Sequence, residues 1–269
     1  MKSLILYILI VISSGWLGLG LDHLLGNDTA EGLGKLFMLV LPTVVLLCFS
    51  IKRFPTLGIK PHLKKQYKWY LFCVLFDIIA FLIITGIGYL TGGIKEPMTR
   101  NLFSVILATS AFSLPGLFVK NIFEEINWRG FLFPRLHEFM GYRSASIFTS
   151  LIWATWHLPL WLVITPRTLL LDYSPYHNVL ILVITAYLAL INIGFLYNRI
   201  RLQTSSFWPL VLLHTVNNSV VAALYANMHY LKWFVSPGIN GILYFTIMLL
   251  VNLYLEMKYP IKPERYQDD

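Results

Sequence analysis

An all-α fold is predicted, a polytopic membrane bundle of about eight transmembrane helices. Three observations predict it. The 269 residues are 57% apolar and only 13% charged, whereas a water-covered domain carries about 25% charge. The apolar residues fall into runs close to the ~20 that a bilayer crossing needs. Basic residues punctuate those runs instead of gathering on one face.

In chain order the runs are 4–21, 36–51, 69–90, a long stretch within 101–134, 146–164, 178–197, 206–225 and 239–256. Lys2 precedes the first run. That run is long for a signal peptide and no A-x-A cleavage pattern follows, so a retained span is expected. The second run is short and borrows Gly32 to Lys35, with Lys35 snorkelling outward. Asp77 lies midway along the third and is read as structural. The fourth is expected to be one helix kinked at Pro115. Its apolar character resumes after the charges, in Gly130-Phe131-Leu132-Phe133, and stops at Pro134-Arg135.

Orientation follows from the basic residues in the connections. The loop 52–68 holds Lys52, Arg53, Lys60, Lys64, Lys65 and Lys68. Lys120, Arg129, Arg135 and Arg143 follow on the same side, then Arg199 and Arg201, with Lys2, Lys258, Lys262 and Arg265 at the ends. That places sixteen of the 21 basic residues together, against Lys35, Lys95, Arg100, Arg167 and Lys232 opposite, where Asp22, Asp28 and Glu31 make the first loop acidic. Both termini are therefore expected in the cytoplasm, which agrees with an even span count. Residues 1–269 read as a single integral membrane domain, with the chemistry between about 113 and 225. The net charge of +8 serves topology, and no nucleic-acid partner is expected. Cys48 and Cys73 sit in apolar runs and offer neither a disulfide framework nor metal-ligand spacing. His137-Glu138 opens like a zinc H-E-x-x-H motif, but residue 141 is Gly. His23, His62, His177 and His229 fall in loops or at span ends and receive no role.

Three polar clusters interrupt the apolar spans: Glu124-Glu125-Ile126-Asn127-Trp128-Arg129, His157, and His214 with Asn218. An ionisable group at bilayer depth costs roughly 2.5 kcal/mol or more, so such groups mark function or a specific partner. Counted from the expected inner end at Arg135, Glu124 lies ~16 Å deep. His157 lies ~16 Å from a start at Ser146, and His214 and Asn218 lie ~12 and ~18 Å from a start at Ser206. Glu125 and Arg129, four apart, should pair. Glu124 points about 100° away, without that partner, and suits a general base for water. His214 and Asn218 share a face and are able to donate hydrogen bonds to an oxyanion. Taken alone, each cluster also reads as structure: charges in a wet inner vestibule, a core histidine among tryptophans, or interhelical glue. Their shared depth on three helices favours chemistry.

These clusters resemble the CAAX-processing and bacteriocin-processing (CPBP, Abi) intramembrane endopeptidases, related to type II CAAX prenyl proteases. That family has a Glu-Glu-x-x-x-Arg motif, matched by Glu124, Glu125 and Arg129, and a His-x-x-x-Asn/Asp motif, matched by His214 and Asn218. Its Phe-x-x-x-His motif reads Trp153-Ala154-Thr155-Trp156-His157 here, tryptophan replacing phenylalanine. The resemblance covers roughly residues 113–225. It implies that Glu124 activates water with the help of His157, that His214 and Asn218 stabilise the oxyanion, and that Glu125 and Arg129 support the site. It implies no cofactor in the glutamate-type mechanism. The metallo alternative is zinc on Glu124, His157 and His214. Hydrolysis would need a water-filled cavity open to the cytosol. The substrate would be a peptide or protein, prenylated or membrane-tethered, of CAAX type or a bacteriocin or leader peptide. The protein would be multi-pass, in the plasma membrane of a bacterial source. Two other classes fit the polar clusters: a proton-coupled membrane transporter, and a non-catalytic bacteriocin-immunity membrane protein.

Overall fold

The structure, a computed structural model, describes residues 2–26, 32–50, 57–95, 101–164 and 179–261. Of the residues named above, Asp28, Glu31, Lys52, Arg53, Arg100, Arg167, His177, Lys262 and Arg265 lie outside that set. Among the described residues there are helices and one isolated antiparallel bridge, Ile94 with Tyr230, and no strands.

The helices are α1 (Lys2–Leu24), α2 (Leu33–Ser50), α3 (Leu63–Leu90), α4 (Leu102–Glu125), α5 (Phe133–Pro159), α6 (Val179–Thr204), α7 (Trp208–Asn227) and α8 (Ile242–Lys258). Each overlaps one of the eight apolar runs, although α5 begins well before the fifth. Among the described residues, five helical stretches are both long and apolar enough to cross a membrane: α1, α3, α6, α7 and the continuous run Leu102–Val163 that contains α4 and α5. Large apolar side chains stay exposed around the outside, among them Leu9, Leu82, Phe103 and Phe112. That is the surface expected of a bundle solvated by lipid, and a liability for one solvated by water.

The long fourth helix forms, but it does not end at Arg135. Glu125 passes into a π-helical turn, Ile126–Leu132, and helix then continues as α5. The break comes at Gly141, where φ is 72°, a left-handed backbone that glycine adopts without steric cost. The helix bearing His157 therefore starts at Tyr142, not Ser146.

Close packing relies on small residues. A Cβ on Gly34 of α2 would overlap the Gly18 carbonyl of α1, so these two helices meet backbone to backbone. Likewise a Cβ on Gly194 of α6 would overlap the Ser150 hydroxyl of α5. Small residues of this kind let membrane helices approach, where lipid removes most of the hydrophobic drive for association. Polar glue completes the bundle. Between α6 and α8, the Asn252 amide donates to the Asn192 carbonyl at 2.8 Å, and Asn192 donates to Phe245 O at 2.9 Å.

Arg199 and Arg201 are not in a turn, as the charge count assumed. The sixth helix runs on through Thr204, and both guanidinium groups are buried. Arg199 pairs with Glu256 and donates to Tyr259 O at 2.6 Å, clamping the C-terminal end of α8. Arg201 Nε donates to Arg129 O at 2.8 Å, supplying a donor to a carbonyl in the π turn.

Candidate active site

The site grows from α4, its π turn, the end of α5 and the middle of α7. At the end of α4, Glu124 is 2% exposed and Glu125 is fully buried. Consecutive helical residues diverge by about 100°, so the two carboxylates enter different neighbourhoods.

Glu125 faces inward to cations. Arg129 Nη1 donates to its two oxygens at 3.1 and 3.3 Å, and His214 Nδ1 lies 2.8 Å from Oε1. The pairing of Glu125 with Arg129 was expected; the link to His214 was not. The Arg129 guanidinium also lies over the rings of Trp153 and Tyr197, 4.2 and 4.6 Å from their centroids. A buried ion pair survives when such contacts replace lost water. With Nδ1 committed to a carboxylate, the His214 tautomer is set, and Nε2 is the nitrogen left for chemistry.

Glu124 is not the unpaired carboxylate that the sequence suggested. Lys120, one turn earlier, ion-pairs with Oε1, and Trp153 Nε1 donates to Oε2 at 3.2 Å. The tryptophan therefore does something phenylalanine cannot, because only the indole carries an N–H. Trp153 is also the hub for both imidazoles: its ring centroid lies 5.8 Å from that of His157 and 5.5 Å from that of His214. His157 Nδ1 sits 2.9 Å from Trp153 O, and its ring stacks on Trp161 at 5.3 Å. The Glu124 carboxylate is thus turned into the bundle, not to lipid.

Glu124 and His157 share the wall of one cavity of about 420 Å³. Its other walls include Leu36, Met38 and Leu39 of α2, Trp156 and Leu160; among the described residues Lys120 and Lys35, which lines this cavity where the sequence suggested outward snorkelling, are the charged members besides Glu124.

Asn218 has another partner. Its amide donates to Asn121 Oδ1 at 3.3 Å, and Asn121 in turn donates to Thr215 Oγ1 at 3.2 Å. One turn on, Ser219 donates to Ser110 O at 2.8 Å. This polar seam joins α4 to α7, so the glue reading holds for one of the two Asn218 amide protons. Asn121 was missed by sequence reading, although its spacing to Glu124 and Glu125 puts it on the same helical face. Asn127, named in the first cluster but given no role there, takes the Tyr7 hydroxyl at 2.6 Å and donates to Thr43 at 2.7 Å, tying the motif to α1 and α2.

Asp77 is buried and accepts the Tyr244 hydroxyl at 2.7 Å; Asn217 donates to the same hydroxyl at 2.7 Å. It stays a structural residue joining α3, α8 and α7. The zinc alternative would draw on Glu124, His157 and His214. Among the described residues no three His, Cys, Asp or Glu side chains are grouped closely enough to hold a metal ion, and both Glu124 oxygens already have partners.

Comparison with curated proteins gives no match. A family profile does match, over residues 106–220, and its description is Type II CAAX prenyl endopeptidase Rce1-like. The matched segment spans all three motifs. Over that segment the chain is similar to the Rce1-like type II CAAX prenyl endopeptidases.

Proposed function

We propose that the protein is an intramembrane endopeptidase that hydrolyses a peptide bond near the cytoplasmic membrane face, with eight crossings and both termini in the cytoplasm. One observation carries the reading: a buried glutamate and a histidine from different helices open on the same cavity.

Water entering that cavity meets Glu124. The carboxylate accepts a proton from the water, and the resulting hydroxide attacks the substrate carbonyl carbon. His157 holds the water in place. The carbonyl becomes a tetrahedral oxyanion, which needs donors already aimed at it. His214 supplies one through Nε2, provided the imidazole is protonated, because Nδ1 is engaged with Glu125. The free amide proton of Asn218 supplies a second. Collapse breaks the C–N bond, and Glu124 returns its proton to the leaving amine. Glu125 and Arg129 hold His214 and the π turn, and act by positioning. No step requires a metal.

Purified protein incubated with a peptide library should cleave. Glu124→Ala and His214→Ala should each lower the rate by about 10²-fold or more. Proteolysis that persists in both variants removes the assignment. Inhibition by a strong chelator, reversed by zinc, would replace the glutamate mechanism by a metallo one.

A further inference from the structure

Lys120 belongs to none of the three motifs, yet it is the group nearest the proposed base. Its ammonium ion-pairs with Glu124 and donates to Asn121 Oδ1 at 3.2 Å. With that ammonium on one carboxylate oxygen and the Trp153 N–H on the other, neither oxygen of Glu124 is open to a water molecule. In the arrangement seen here Glu124 is therefore restrained, and something must draw Lys120 away.

The cavity indicates what. Among the described residues that line it, two carry ammonium groups, Lys35 on α2 and Lys120 on α4, against one carboxylate, Glu124. The rest of the wall is largely apolar, as at Leu36, Leu39 and Leu160. The Lys120 side chain is 33% exposed while that of Glu124 is 1% exposed, so an incoming group reaches the ammonium first. An excess of cations in an apolar recess favours an anionic ligand, because the local dielectric magnifies the attraction. A carboxylate matches the size of the partner Lys120 already has.

We propose that Lys120, with Lys35, is a specificity-determining residue that binds a carboxylate of an otherwise apolar peptide segment. In taking that carboxylate, Lys120 loosens its hold on Glu124. This rests on the peptidase reading for its catalytic consequence, but the binding site stands on the cavity alone. The carboxylate comes either from the peptide's C-terminus or from an acidic side chain.

The test uses full-length protein in lipid nanodiscs and three short apolar peptides. One has a free C-terminal carboxylate, one is its C-terminal amide, and one is the amide with its last residue changed to glutamate. Affinity is read by fluorescence anisotropy, and kcat and KM by product release. The wild type should bind the free acid about tenfold more tightly than the amide. Lys120→Met should abolish that difference and Lys120→Arg should keep it, with the change in KM exceeding that in kcat. If the glutamate peptide behaves as the free acid, any carboxylate is read; if it behaves as the amide, the terminal one is read. Equal affinity for acid and amide in the wild type, or an undiminished difference in Lys120→Met, overturns the proposal. Discrimination in binding without cleavage of any peptide leaves the carboxylate site standing and overturns the peptidase reading.

Discussion

Trp153 stands where the resembled motif has phenylalanine, and its indole N–H reaches Glu124 at 3.2 Å. Trp153→Phe keeps the aromatic contacts with both imidazoles and removes one hydrogen bond to a charged group, a contribution of about 1.5–3 kcal/mol. The expected result is a fall in kcat of about tenfold or more with KM nearly unchanged; an unaltered kcat would deny the N–H any part in holding the base. Glu125 offers a second test. Glu125→Gln leaves the buried Arg129 without a counter-charge, which costs about 3 kcal/mol and should lower the thermal midpoint in detergent. The double change Glu125→Gln with Arg129→Met removes both charges, and should recover much of that stability but none of the activity. Recovery of both would mean that the pair does not position His214.

At the scale of elements, the site depends on how α1 and α2 are held, since α2 provides much of the cavity wall. Gly18 and Gly34 leave no room for a Cβ between these helices, and Asp22 accepts the Gly34 N–H at 2.8 Å. Gly34→Leu should push α2 outward, cost about 1–3 kcal/mol as overpacking does, and weaken peptide binding. Gly20→Ala is the control, because a Cβ there meets nothing within 4 Å, and it should leave both readouts unchanged. If Gly34→Leu also leaves binding intact, the wall is not set by this contact. The π turn is the other local device. An extra residue per turn shifts Arg129 relative to Glu125 and frees a carbonyl, to which Arg201 donates from across the bundle. Such turns occur often at functional sites. Hydropathy gives no sign of one, which is why an ordinary helix was expected here.

For the whole molecule, the exposed apolar side chains need lipid, and the basic residues set its direction. Three of the residues counted on the inner side, Arg129, Arg199 and Arg201, turn out to be buried in contacts with the protein, so the loops carry less of the charge than the count implied. The remaining inner excess still predicts an even number of crossings. In a background lacking Cys48 and Cys73, single cysteines at positions 2 and 258 should react with a membrane-impermeant maleimide from the same side. Labelling from opposite sides would refute the eight-span topology.

The sequence by itself determined where the helices run and which residues are candidates for the chemistry. Apolar run length and i,i+4 spacing are local properties, and they were enough to single out Glu124, His157 and His214 and to pair Glu125 with Arg129. Only the tertiary structure decided the partners between helices: Trp153 with Glu124, His214 with Glu125, Asn218 with Asn121, and Arg201 with the π turn. It also decided whether Lys120, one turn from Glu124 in the same helix, would swing inward. Those choices follow from the rotation and approach of whole helices, which close backbone packing at Gly18, Gly34 and Gly194 sets and hydropathy does not record.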